Sequence, residues 1–407
     1  MTPPDGPGTS PGGGAAARAR RAEDHVPTPV EQLLAAREVV IVCGSGGVGK
    51  TTTAAALGAK AVAELGGRVL VLTVDPARRL ANALGLEAFG NVEVRVPDEA
   101  WAEAGVTPRG ELWAAMLDTK RSWDDLIVRH APDARTRDAI LANPLYTNIT
   151  GRFVQSHDYI AMERLYELHA SGTYDLLVVD TPPSRHALDF LDAPQRMVEF
   201  FGSRLLRWLT VPYRSRIVSV ASKPFTQVAD RILGSQFLQD IAEFFTLFQT
   251  MHRGFVQRAE AVSRVLADRR STFVVVSTLE APARQEADYF VAELARRRLH
   301  LGAVVLNKVL PPLLLDRRAL EAADVLHRGA RDLAAAINGE LGPVDDVARV
   351  LGEVAGSFRD FSLAAHREAD ERAALAAAAD VLVAVPHARR DIADLAGLLR
   401  VGEALWG

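Results

Sequence analysis

One cysteine, Cys43, serves all 407 residues. A lone thiol rules out an internal disulfide, a Cys-x-x-Cys metal clip and any three-thiol metalloid site within the chain. It ends an apolar run, where a small buried hydrophobe is the ordinary role. Long apolar stretches are missing as well, for no window reaches the roughly eighteen residues of a membrane span. The N-terminus does not join a basic start to an apolar run, so no secretory signal is expected and a cytoplasmic protein is. A surplus of positive charge is also lacking. The formal net charge is −4, with 47 Lys and Arg against 51 Asp and Glu, so no nucleic-acid partner is expected. Aromatic residues amount to 6% of the chain, which makes their crowding between 195 and 270 noticeable.

The length suits one large α/β core with a smaller satellite, or two modest domains. Residues 1–33 are rich in Pro, Gly, Ala and Arg without apolar periodicity and are expected to be a disordered tail. From 34 to 407, short β-branched runs alternate with helical stretches. Strands are expected at 39–43, 68–74, 112–117, 175–179, 272–277, 302–306 and 381–385. Continuous apolar runs of this length between helices predict an α/β fold, a mostly parallel sheet flanked by helices on both faces. Two stretches are too long for simple crossovers, about 119–173 and 195–270, and are expected to form a helical subdomain. In the second, Phe237, Leu238, Ile241, Phe244, Phe245, Phe248, Met251 and Phe255 share one broad face if the helix is continuous. That face either packs against the sheet and its neighbours or holds an apolar partner segment. Upstream, 196–231 carries seven basic and two acidic residues interleaved with Phe200, Phe201, Trp208 and leucines. Such a segment is either a solvated helix face or one that lies on an anionic membrane surface.

The stretch VVIVCGSGGVGKTTTAAALG, residues 39–58, fits two phosphate-binding designs. Gly44-Ser45-Gly46-Gly47-Val48-Gly49 matches the dinucleotide pattern GxGxxG, with Asp75 ending the next strand. Continued through Lys50 and Thr51, it matches GxxxxGK[ST], the loop that wraps a nucleoside triphosphate. Only the second design needs an ammonium for the β- and γ-oxygens and a hydroxyl for magnesium. It also follows a strand and opens a helix, so the triphosphate reading prevails. Two further runs agree with it. YDLLVVDTPPSRHALDFL is an apolar strand ending in Asp180, where an acid holds magnesium through water. VLTVDPARRL ends at Asp75, which either orients and deprotonates an attacking water or caps the following helix.

With GGVGKTT, VDPA and DTPP…HALDFL together, the chain resembles the ArsA family of P-loop ATPases, which includes arsenite-pump and tail-anchored-protein-targeting ATPases. The likeness runs from about Val39 to the C-terminus. It implies a P-loop fold of the SIMIBI (MinD/ArsA-like) type and an ATP-hydrolysing dimeric switch that binds or delivers an apolar or membrane-associated client. ATP is then the substrate and Mg2+ the cofactor, with no zinc and no iron–sulfur cluster. Carried over motif by motif, the nucleotide contacts are Gly46, Gly47, Val48, Gly49, Lys50, Thr51 and Thr52. Thr51 and outer-shell Asp180 serve the metal, and Asp75 and Lys50 are catalytic. TFVVVSTLEAPARQEADYFV followed by LGAVVLNKV places the family's adenine-contacting Asn at Asn307, after a strand. VAVPHARRDI resembles its late adenine-side loop, at Pro386.

Two departures matter. The family's loop usually carries a second lysine that reaches the partner's phosphates, and here that position is Ser45. The resemblance then implies either a homodimer, in which Arg78, Arg79 or Arg185 supplies the charge or hydrolysis is slow, or a heterodimer with a lysine-bearing ArsA-like subunit, acting as a nucleotide-gated scaffold with negligible hydrolysis on its own. Arg185 stands where relatives have a flexible glycine in the switch after the DTxP run. The missing cysteines argue against a zinc-clamped dimer and arsenite sensing. The chain is expected in the cytoplasm, with a peripheral membrane position open to its basic aromatic segment.

Overall fold

The structure, a computed structural model, describes residues 26–74, 78–86, 90–146, 154–182, 192, 195, 196, 199, 235–337, 341–376, 381–388 and 390–407. Its centre is the apolar run that also carries the phosphate loop. Strand β1 (Val39–Gly44) is buried at every position, because it is covered on both faces and paired on both edges. The following helix α2 (Lys50–Glu64) leads to β2 (Gly67–Thr73), yet β1 and β2 are not neighbours. Between them lies β5 (Leu176–Asp180), parallel to both. On the other side β1 pairs with β6 (Ser271–Ser277), then come β7 (Leu301–Val309) and β8 (Leu382–Pro386). Beyond β2 lie β4 (Gly110–Met116) and an antiparallel two-residue edge, β3 (Val94–Arg95). The eight-stranded order is β3-β4-β2-β5-β1-β6-β7-β8. The chain works outward to one side of β1 and later to the other, so a crevice opens at the carboxyl end of β1, the place where open α/β sheets bind ligands.

The period-two alternation of β1 sorts the core into two layers. Val39, Ile41 and Cys43 face one hydrophobic layer, and Val40 and Val42 the other. The second layer is built by α1 (Pro29–Ala35), α2, α3 (Arg78–Ala83), α4 (Asp98–Glu103) and, from the far end of the chain, helix Leu395–Trp406. In α2 the buried side chains are largely alanine, which lets this helix lie close to the sheet.

The first layer is built by α5 (Thr119–His130), α6 (Ala134–Ala142), α7 (Val154–Ala170), α8 (Ser235–Gln249), α9 (His252–Ala267) and α10 (Ala281–Arg296). Here the aromatics collect. Trp123 lies 5.7 Å from Tyr159 and 6.2 Å from Phe248 between ring centroids, and Phe248 stacks on Phe255 at 5.1 Å. The broad aromatic face expected on one helix is therefore divided between two. After Gln249 the bonding tightens, with Thr250 and Met251 amides donating to Leu247 and Phe248 carbonyls three residues back, and the helix restarts at His252. The break folds α9 beside α7 and turns Phe244, Phe245, Phe248, Met251 and Phe255 all into the core. The side chains of Phe237 and Leu238, the basic stretch 200–231 and the expected tail 1–25 lie outside the described residues.

One large element is not among the sequence-based expectations. Between β7 and β8 stand a short 3-10 turn (Pro312–Leu315), α11 (Arg317–Arg328), α12 (Ala330–Ala336) and the 33-residue α13 (Val344–Ala376), before α14 (Leu395–Trp406) closes the chain. This unit packs through small residues, Ala323, Ala334, Ala355, Ala365 and Ser362. Larger apolar residues of the unit, Val325, Val350, Val354 and Phe361 among them, stay exposed. No helix among the described residues is long and apolar enough to cross a membrane.

Candidate functional site

The loop between β1 and α2 has a shape that only glycine allows at two of its points. Gly44 leaves β1 with a positive φ, and a Cβ there would sit 2.0 Å from the carbonyl oxygen of Val276 on β6. Gly49 is left-handed, φ 99°, and a Cβ there would lie 2.2 Å from the Asn307 amide nitrogen. Gly49 is also the N-cap of α2. Thr28, Asp118, Asp133, Asp316 and Asp394 cap their helices through side-chain oxygens. Gly49 cannot, so the first-turn N–H groups of a 15-residue helix have no side-chain cap. Uncapped amides plus the positive end of the helix dipole favour an anion.

Lys50 adds a full positive charge. Its side chain is buried, and Nζ donates to the Ser45 carbonyl at 2.9 Å. The ammonium is thereby folded back over the loop instead of extending into solvent. Ser45 itself is buried, and its hydroxyl has no hydrogen-bond partner among the described residues. Beneath the loop, burial pushes the Cys43 thiol far up against a weaker opposing pull from Lys50. Cys43 therefore stays a protonated core group.

Asp180 ends β5 and is fully buried. Two hydroxyls converge on one of its oxygens: Thr51 Oγ1 donates to Oδ2 at 2.6 Å and Thr73 Oγ1 at 2.9 Å. The first comes from α2 and the second from the end of β2. Thr181 turns away and donates to the Val42 carbonyl at 2.9 Å. A hydroxyl beside a buried carboxylate is a hard oxygen donor set, the kind that suits magnesium.

On the other flank, Asn307 lies inside β7, not after it as the sequence led us to expect, and Pro386 is the last residue of β8 and not a loop residue. The reason is pairing. The irregular stretch from Asn307 to Val309 keeps β7 running against β8 up to Val309 opposite Pro386. Asn307 Nδ2 donates to the Val48 carbonyl at 2.7 Å, and Lys308 Nζ to that of Gly47 at 3.0 Å.

The structure thus gathers Gly46, Gly47, Val48, Gly49, Lys50, Thr51 and Thr52 in one strand–loop–helix turn, with Asp180 bonded to Thr51, Asn307 bonded to Val48, and Pro386 on β8 opposite Val309. Asp75, Arg185 and the side chains of Arg78 and Arg79 lie outside the described residues. Two participants were missed in the sequence, Thr73 and Lys308. A threonine interrupting the apolar run VLVLTVD was a signal for the first. For Lys308 there was none, because its role depends on a backbone twist.

A glycine loop that opens a helix, a lysine folded back upon it and a threonine tied to a buried aspartate define a P-loop nucleoside triphosphatase of the SIMIBI type. The chain belongs to the anion-transporting ATPase (ArsA) family, whose profile matches residues 37–323, and it is an ATPase. A Streptomyces coelicolor relative named only "Uncharacterized protein SCO2128" is 30% identical over 311 residues, covering 73% of this chain and 70% of its own. The Neurospora crassa "ATPase get3" is 23% identical, covering 71% of this chain and 79% of its own length. A "Putative arsenical pump-driving ATPase 1" of Aquifex aeolicus is also 23% identical, with 67% and 63% covered.

Proposed function

We propose that this protein is a magnesium-dependent ATPase switch whose turnover governs a hold on an apolar or membrane-associated client. The Thr51–Asp180 hydrogen bond of 2.6 Å carries this reading. A hydroxyl and a carboxylate side by side at the mouth of the loop support a metal-binding role for Thr51 with Asp180 in the outer shell. The amides of Gly46 to Thr52 bind the triphosphate, and Lys50 leaves the Ser45 carbonyl to neutralise the β- and γ-oxygens. Thr51 would hold Mg2+ with Asp180 behind it, and the metal would supply charge neutralisation to the phosphates. Asp75 orients and deprotonates the attacking water. Asn307 and Pro386 form the adenine side. Catalysis is then mostly positioning and charge neutralisation.

ATP closes two protomers face to face, and hydrolysis relaxes them. Residues 119–173 and 195–270 form the subdomain that changes what it exposes. The basic aromatic stretch 196–231 is the candidate for peripheral contact with an anionic membrane from the cytoplasm.

Ser45 favours a second reading, a heterodimer. A short, buried hydroxyl cannot supply a cation to a partner's phosphates, so a lysine-bearing homologue would donate that charge, and this chain alone would be a nucleotide-gated scaffold.

Titration of the full chain with Mg–ATP tests the core of the proposal. Uptake by the parent and its loss in Lys50→Ala are expected; equal affinity in Lys50→Ala would overturn the reading.

A further inference from the structure

We infer that Lys308 is a positioning residue for the phosphate loop, one that sets how long the protein retains its nucleotide. The inference rests on the nucleotide reading above and adds to it a residue outside the loop. Lys308 is a non-glycine residue in the left-handed region, φ 60°, where β7 departs from regular pairing with β8 between Asn307 and Val309. Side chains carrying a Cβ avoid this conformation, so the surroundings must enforce it. Its effect is specific. Successive residues of a regular strand point to opposite faces, and a straight β7 would offer only one of Asn307 and Lys308 to the loop. The twist offers both. Asn307 Oδ1 also accepts from the Lys308 backbone N–H at 2.9 Å, which leaves the carboxamide nitrogen to face Val48.

Two donors from β7 consequently hold two loop carbonyls, Lys308 on Gly47 and Asn307 on Val48, and they stay in place when Lys50 gives up Ser45 for the phosphates. In a planar trans peptide the C=O and the next N–H point in opposite directions. Drawing the Gly47 carbonyl toward β7 therefore turns the Val48 N–H the other way, into the loop. The Val48 carbonyl does the same for Gly49. The loop needs such holding, since Gly47 is itself at φ 80° with nothing within 4 Å of where a Cβ would be. Lys308 is the exposed member of the set, and its ammonium works through the loop, not on the reacting phosphate.

The test uses the full-length chain with a fluorescent ATP or ADP and Mg2+, chased with unlabelled nucleotide. Lys308→Met should release both nucleotides about tenfold faster, as expected for loss of one charge-assisted hydrogen bond at the surface. KM for ATP should rise in step, while kcat at saturation stays within about twofold and the nucleotide-free Tm is unchanged. Lys308→Arg should restore slow release. Unchanged release in Lys308→Met, a loss confined to kcat, a lowered nucleotide-free Tm, or no rescue by arginine each overturns the inference. If the parent itself takes up no Mg–ATP, the nucleotide reading falls and this inference with it; if the parent binds and the methionine variant releases as slowly, only the inference falls.

Discussion

Thr51 and Asp180, 129 residues apart in sequence, are joined by a 2.6 Å hydrogen bond between the first turn of α2 and the end of β5. The carboxylate is fully buried and also accepts from Thr73, so it cannot swing away from the hydroxyl it orients. Converting Asp180→Asn keeps the shape and removes the charge. We expect Mg–ATP turnover to fall by about a hundredfold or more, the scale of losing a preorganised electrostatic group, with ATP binding in the absence of magnesium little changed. A variant that needs no more magnesium than the parent would separate Asp180 from the metal.

Asp75 is tested by its amide. Asp75→Asn should abolish steady-state turnover while sparing Mg–ATP affinity, because a water-activating group acts on the reaction and not on ground-state binding. Parent-like turnover would remove Asp75 from the mechanism.

Ser45 makes a prediction about company. The parent chain alone is expected to hydrolyse ATP slowly and to accelerate when a lysine-bearing homologue from the same cell is added. Ser45→Lys should raise turnover of the chain alone by about a hundredfold if self-association brings the lysine to the partner's phosphates. Full activity of the unaided parent would sink the heterodimer.

The aromatic layer under the sheet bears on stability. Phe255 is buried, stacks on Phe248 and also lies 5.8 Å from Tyr159 between centroids. Phe255→Ala should cost about 3–5 kcal/mol, the range for a large aromatic removed from a packed core. Urea unfolding would read this as a lower midpoint at constant slope. A loss below about 1 kcal/mol would mean that the site collapses around the cavity.

His130, at the end of α5, gives a pH dependence. Burial, aided by the neighbouring Arg258 and Arg129, lowers its pKa from 6.5 to about 4. The folded protein thus resists a proton that the unfolded chain accepts below about 6.5. The contribution of the neutral ring is present above pH 6.5 and is lost as pH falls from there toward 4. Substituting His130→Asn should flatten this part of the acid limb, modestly because the ring is partly solvated. Comparing urea midpoints at pH 7.5 and 4.5 checks it; an identical pH slope in both proteins would contradict the assignment.

The runs 39–43, 175–179 and 272–277 were readable as strands because a central parallel strand is buried on both faces, which leaves no polar alternation to hide it. The spacing from Gly44 to Thr51 was equally plain, since a loop that wraps phosphate needs its glycines, lysine and hydroxyl at fixed intervals along one stretch of chain. Those features are local, and local features are written in order. The unit of α11 to α13 was not legible, for its fully buried contacts are alanine and serine while larger apolar residues such as Val325, Val354 and Phe361 stay exposed. Nor was the turn at Thr250, because a helical wheel drawn through it stays apolar whether the helix continues or folds back.

What the sequence determined by itself is the P-loop, the sheet's core strands and the pairing of a hydroxyl with an acid as residue types. Only the tertiary structure decided that Thr73 joins Thr51 on one carboxylate oxygen and that β7 grips the loop through both Asn307 and Lys308. The physical reason lies in distance and direction. Hydrogen bonds act over about 3 Å, and whether a side chain reaches that far from another strand depends on sheet order and on one left-handed residue, neither of which leaves a period in the sequence.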